Sequence, residues 1–151
     1  MSMFSTFNVN ASGMTAQRLR MDIISENVAN AQTTRTEDGT PYRRKVVTFA
    51  QKGSQTPFNK VLGHVTNGYN AYSGQGVKVD GIYEDTNSEM KMVYDPAHPD
   101  ADENGYVTYP NVNIVTEMTN LIDASRAYEA NSTAFTASKA IALQGLQITQ
   151  Q

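Results

Sequence analysis

Apolar residues recur at steps of four and three along both ends of the chain, and at steps of two in short runs between them. From about Val112 to Gln151 the rhythm runs Ile114, Met118, Leu121, Tyr128, Phe135, Ala142 and Leu146, broken only by Ser125, Ser132 and Lys139. Within that stretch no glycine precedes Gly145, and no proline follows Pro110, so it predicts one helix on the order of 55 Å long. That is too long for a compact domain of this size. Between Ala124 and Ala142, twelve of nineteen residues are Ala, Ser or Thr, and only Arg126, Glu129 and Lys139 are charged. A solvated face would carry more charge, so other helices are expected to enclose this one on several sides. An ordinary helix lying across one small core is the plainer alternative. Ala127, Ala130, Ala134, Ala137 and Ile141 form a second stripe, about 100° around the helix from the Tyr128–Phe135–Ala142 seam. It is narrow enough to admit a neighbouring helix at close range.

The partner for the first seam lies at the other end of the chain. Met3, Phe7, Asn10, Met14, Gln17, Met21, Ile24, Val28 and Ala31 follow the same steps, and Phe7, Met14, Met21 and Val28 are each one heptad apart. Such a seam packs against another helix, and its methionines suit neighbours that are not identical. Ser12 and Gly13 interrupt it, which predicts a less firmly helical start over the first ten residues. The helix should stop near Asn30. Asn27 and Asn30, one turn apart, are placed to satisfy the groups that a helix end leaves free and to turn the chain outward; two solvent-exposed polar residues are the alternative.

The middle reads differently. Tyr42–Ala50 is β-like, with Arg43-Arg44-Lys45 leading into Val46-Val47-Thr48-Phe49. Residues 53–57 break it, and Asn67-Gly68 is a hairpin turn signal between Val65 and Tyr69. Gly74-Gln75-Gly76 opens the alternating strand Val77–Asp80, with Gly81 as a bulge. Met90, Met92 and Tyr94 alternate with Glu89, Lys91 and Val93 as a half-buried strand. Asn104-Gly105 then turns into Tyr106–Tyr109. The fold class is therefore α+β: long terminal helices, 1–32 and 112–151, paired as an antiparallel coiled coil around a small β-rich insertion, 33–111.

Charge agrees with this division. The first 32 residues carry four charged side chains and the last 40 carry five, leaving eighteen of 27 in the middle. The ends are expected to be buried and the middle solvated. A net charge of -3 argues against a nucleic-acid surface. The absence of cysteine excludes disulfides and thiolate metal sites. No run of eighteen apolar residues predicts membrane insertion, and no secretory leader is visible.

Candidate chemistry is sparse. Gly74-Gln75-Gly76 lacks the third glycine and following helix of a dinucleotide site and reads as a strand-opening turn. His98 sits near Asp95, Asp100 and Asp102 without a nucleophile or orienting partner in view. Asp100-x-Asp102-x-Asn104-Gly105 copies the first half of a calcium loop, but Asn111 replaces the closing Glu and Pro99 blocks the entering helix, which favours a polar hairpin loop. The basic trio Arg43-Arg44-Lys45 is expected to meet a protein neighbour. No catalytic residue, cofactor site or metal site is expected.

At this level the motifs can be matched to a family. Ser25-Glu26-Asn27-Val28-Ala29-Asn30-Ala31-Gln32-Thr33-Thr34 resembles the N-terminal signature of bacterial flagellar rod and hook proteins. Glu117–Asn131, with its core Arg126-Ala127-Tyr128-Glu129-Ala130-Asn131, resembles their C-terminal signature, and Gly76-Val77-Lys78-Val79 is similar to a strand of the same proteins. Thr33–Thr36 with Gly39–Lys45, and the stretch from Tyr94-Asp95-Pro96 to Asn113, narrow the likeness to the proximal rod. The resemblance implies a structural subunit of a hollow helical shaft, which transmits torque and encloses an export channel. Its partners would be other copies, adjacent rod subunits, the rod–ring adaptor and the flagellar type III export apparatus. Its place would be the periplasmic part of the basal body. Another rod- or hook-type subunit, a stand-alone helical binding module and a small hydrolase using His98 are the alternatives. For the rod reading, the interface residues would be Phe7, Met14, Met21, Ile24, Asn27, Val28, Asn30, Met118, Leu121, Arg126, Tyr128, Ala130, Ala134, Phe135 and Ala137.

Overall fold

A computed structural model of the chain describes residues 3–53 and 75–148. In order, the elements are α1 (Met3–Ala29), β1 (Lys45–Gln51), β2 (Val77–Glu84), β3 (Lys91–Tyr94), β4 (Tyr106–Tyr109) and α2 (Ile114–Ile148). Among the described residues the architecture is α+β: two long helices and two small antiparallel sheets, β1–β2 and β3–β4. The turn expected at Asn67-Gly68 and most of the break at residues 53–57 lie outside the described residues.

The helices pack on each other through contacts at nearly constant sequence sum. The Phe7 and Phe135 rings lie 5.1 Å apart, Gly13 faces Asn131, and Asn27 bonds to Glu117. Residue numbers that rise on one helix as they fall on the other define an antiparallel pair. The start of α2 has a chemical cause. Asn113 caps its start, its Oδ1 accepting the amides of Val115 (3.0 Å) and Thr116 (3.3 Å). Beyond that point nothing breaks the helix over 35 residues, about 52 Å.

Ser12 and Gly13 do not break α1. Gly13 lies where a Cβ would stand 2.8 Å from Asn131 Oδ1, so its missing side chain lets α2 approach. The Ser12 hydroxyl donates to the Val9 carbonyl at 2.7 Å and accepts the Val77 amide at 3.1 Å, pinning the start of β2. The expected irregularity is instead a pair of contacts about 100° apart around one helix. Gly76 closes the joint with φ +85, and a Cβ there would meet the Ser12 hydroxyl at 2.3 Å. Strand β1 starts beside Asn27 and ends opposite Val77 near Ser12, so it runs antiparallel to α1. Thr48 pairs with Gly81 and Phe49 with Val79, leaving Asp80 as the extra residue of a bulge beside the glycine.

The strand expected to be half-buried is not. Met92 and Tyr94 of β3 are 70% and 64% exposed. A two-stranded hairpin has no second layer over this face, and alternation alone cannot supply one. Its partner β4 does contribute to the core through Val107, which is fully buried.

Candidate assembly surface and its polar node

The seam of α2 is only half the one the apolar pattern outlines. Leu121, Tyr128, Phe135 and Ala142 face inward as expected, but the positions between them are Glu117, Ala124, Asn131 and Ser138. Ile114 and Met118 point outward, with Met118 55% exposed. Small and polar side chains win these inner positions because α1 comes close, as Gly13 against Asn131 requires. On α1 the buried positions are Ala16, Ile23, Ile24 and Asn27. Phe7, Met14, Met21, Val28 and Asn30 are half-buried. Arg126, Ala130, Ala134 and Ala137 are exposed, and so is Ile141 at 68%.

At the base of the helix pair lies a buried polar cluster that the sequence reading only grazed. Asn27 is fully buried and uses both ends of its amide. Its Nδ2 donates to the Lys45 carbonyl at 2.8 Å and to Glu117 Oε2 at 3.1 Å. Its Oδ1 accepts from the Tyr42 hydroxyl at 2.9 Å and the Lys45 amide at 2.8 Å. Glu117, 1% exposed, receives Arg44 through Nε (2.9 Å) and Nη2 (2.7 Å) on the same oxygen. Arg44 also reaches Asp85 at 3.6 Å. A buried carboxylate is tolerable only with such charged and hydrogen-bonded company. Burial, and then the carboxylates of Glu26, Glu117 and Glu84, push the Tyr42 phenol up to about 12. Hydrogen bonds from the Ser88 hydroxyl and amide, with a smaller contribution from Arg44, hold Asp85 below its ordinary range.

The basic trio is thus spent largely inside the chain. Arg44 serves Glu117, and the Lys45 ammonium pairs with Glu26. Asn111 completes the enclosure: its Oδ1 accepts the Arg44 amide at 2.9 Å and its Nδ2 donates to the Asp85 carbonyl at 2.8 Å. Glu117, Arg44, Tyr42 and Asn111 were missed as site residues. An acid inside an apolar helix rhythm, ninety residues from Asn27, gave no local sign of its partner. Asn30 does cap the helix: its Nδ2 donates to the Glu26 carbonyl at 3.0 Å, and its Oδ1 accepts the Thr33 hydroxyl at 3.1 Å.

The remaining candidates are occupied by local structure. Asp102 Oδ1 accepts the amides of Asn104 (2.9 Å) and Tyr106 (2.8 Å), and Gly105 closes the turn with φ +82. Asp100 takes the Thr34 hydroxyl at 2.8 Å and lies 3.8 Å from Arg35. Among the described residues, no group of three His, Cys, Asp or Glu side chains could hold a metal ion. His98 accepts the Asp100 amide through Nδ1 and stacks edge-on near Tyr109. No described helix is long and apolar enough to cross a membrane.

The two helix residues of the polar cluster, Asn27 and Glu117, fall where known families match. Residues 7–35 match the flagella basal body rod protein family, and residues 103–148 match the C-terminal family of flagellar basal body rod FlgEFG proteins. The chain is 48% identical to the flagellar basal-body rod protein FlgC of Borreliella burgdorferi over 157 aligned positions, covering 99% of each. It is 44% identical to FlgC of Bacillus subtilis, covering 98% of this chain and 99% of that protein. With FlgC of Salmonella typhimurium it shares 36% over 150 positions, 99% of this chain and 100% of the relative. The cluster joining Asn27 to Glu117 therefore lies in a chain that belongs to the FlgC family of flagellar basal-body rod proteins.

Proposed function

We propose that this chain is a structural subunit of the proximal rod of the bacterial flagellar basal body. Many copies would build a hollow helical shaft that transmits torque and encloses the export channel. Full-length identity of 48% to a rod protein carries the reading. Membership of the rod family supports assembly with other flagellar rod subunits. Subunits that meet through unlike surfaces without closing a ring generate such a tube.

Finer parts of the proposal follow from this. Residues 1–32 and 112–151 form the inner-core helical domain as an antiparallel coiled coil, and residues 33–111 form a module outside it. The regular alternation of Glu117, Leu121, Ala124, Tyr128, Asn131, Phe135, Ser138 and Ala142 at steps of four and three supports the coiled-coil reading. Phe7, Ile24, Asn27, Leu121, Tyr128 and Phe135 close the pair. Met118, Arg126, Ala130, Ala134 and Ala137 face neighbouring subunits. The rod–ring adaptor and the flagellar type III export apparatus are further partners. The chain is exported without a cleaved leader and resides at the periplasmic level of the basal body. The role is mechanical, with no substrate turned over.

The test is a deletion strain complemented with the wild-type chain, with basal bodies imaged by cryo-electron tomography. Deletion should remove rod density above the inner-membrane ring and abolish swimming, and complementation should restore both. Intact rods in the deletion strain would refute the reading.

A further inference from the structure

Two uncovered surfaces of the chain complement each other. The first is the outer face of the β3–β4 hairpin, where Met92 and Tyr94 stand opposite Thr108 and Tyr106. Met92, Tyr94 and Tyr106 are all exposed, and the two tyrosine rings meet edge-on at 5.2 Å. Gly105 seats one of them: a Cβ there would stand 2.9 Å from Tyr94 Cε2, so the ring lies over the bare backbone of the turn. Asp102 and Glu103 form the tip, both exposed and neither in an ion pair with a described residue. Among the described elements, β3 and β4 pack only on each other. The hairpin is a preset aromatic knob with an acidic end.

The second surface is a cleft of about 220 Å³ where α1, β1 and α2 meet. Ile23, Ile24, Val46, Val47 and Phe49 give it apolar walls. Arg20, Arg44 and Lys45 bring three cations to it against one acid, Glu117. Arg44 is committed to Glu117 and Asp85, and Lys45 to Glu26. The half-buried Arg20 guanidinium has no partner among the described residues. A guanidinium held over apolar walls is best satisfied by a carboxylate. None of the lining residues belongs to the hairpin, so the chain does not fill this cleft with its own knob.

We infer that the β3–β4 hairpin of one copy docks into the α1–β1–α2 cleft of a second copy, its tyrosines covering the apolar walls and Glu103 facing Arg20. Tyrosines that enter a partner's pocket are where binding energy concentrates. A ring already seated on Gly105 loses little freedom on docking, and opposite charges at the rim steer the approach and fix the register. The two surfaces are unlike and separate on one chain. The contact is therefore heterologous and leaves a free knob at one end and a free cleft at the other, so it continues from copy to copy. That the resulting row of copies lies in the shaft rests on the reading proposed above.

The chain has no cysteine, so an introduced pair reports the contact directly. The full chain carrying Arg20→Cys and Glu103→Cys should give, on oxidation, a ladder of disulfide-linked dimers, trimers and longer species, as concentrated free protein or in purified basal bodies. Either substitution alone should leave monomers, because like positions do not meet. Monomer alone from the double variant in both preparations, or dimers from a single variant, overturns the inference. Arg20→Glu should lower basal-body yield about tenfold or more, and adding Glu103→Arg should restore most of the loss. Tyr94→Ala should cause a similar loss that Glu103→Arg does not restore. A loss from Arg20→Glu that Glu103→Arg leaves unchanged would give the cleft to a different protein and refute docking between copies. A ladder from the free protein, with rods intact in the deletion strain, would keep the contact and sink the rod reading. Rods lost on deletion without any ladder would do the reverse.

Discussion

Asn27→Asp replaces one nitrogen by oxygen at the centre of the polar cluster and changes almost no volume. The two donor bonds of Nδ2, to the Lys45 carbonyl and to Glu117 Oε2, become contacts between acceptors. The new carboxylate would stand about where Nδ2 does, 3.1 Å from Glu117, beside a carboxylate that is 1% exposed. Breaking a buried charged network in this way costs about 3–5 kcal/mol, and two unsatisfied acceptors alone account for much of it at ~1–3 kcal/mol each. The new acid would hold its proton more tightly in the folded state than in the unfolded state. Its deficit relative to wild type is therefore complete above the raised folded-state value and shrinks as the pH falls below it toward the unfolded-state value, about 3.9. Urea unfolding followed by circular dichroism, run on both proteins at matched pH, measures the difference. A loss under about 1 kcal/mol, or a deficit that does not change with pH, would mean that the cluster does not hold the base together.

Other consequences are accessible to the same methods. Gly13→Leu should lower stability by about 1–3 kcal/mol through overpacking against Asn131, outweighing its better helix propensity, as the urea midpoint will report. Tyr42 has a raised folded-state pKa, so its contribution is complete below pH 10 and is lost as the pH rises toward about 12. Tyr42→Phe should flatten alkaline unfolding in that window. Ala134 is exposed in the single chain, so Ala134→Leu should leave monomer helicity and export unchanged yet fail to build a functional rod, whereas Ala97→Leu, in the exposed loop after β3, should assemble. Equal basal-body yield and swimming in these two strains would remove the alanine stripe from the intersubunit contacts.

The long terminal helices, the bulge near Gly81 and the turn at Asn104-Gly105 were legible because each rests on a local pattern. Half of the α2 seam was legible too, since Leu121, Tyr128 and Phe135 are large and apolar. The other half was hidden: Glu117, Asn131 and Ser138 are polar, and their inward placement depends on how closely α1 approaches. That closeness is written in Gly13, which by itself reads as a helix interruption. Arg44 was equally misleading. A short basic run suggests a surface, and only the fold reveals that a buried acid on α2 needs its charge. The exposed face of β3 has the opposite cause, because alternation reports which face could be covered, not whether anything covers it.

The β1–β2 ribbon is attached to α1 at two separated points: the amide and carbonyl of Lys45 at Asn27, and the amide of Val77 at Ser12. Fifteen residues of helix separate those anchors, about 22 Å, and β1 spans nearly the same distance. One anchor would act as a pivot, leaving the ribbon to swing under a sideways load. Two make it a splint. A twisting force applied to the ribbon divides into opposed pulls at Ser12 and Asn27, each smaller in proportion to the lever between them. The hydrogen bonds that bear the load lie beside backbone already held in a helix, so a load on the ribbon passes into α1 without first bending the joint.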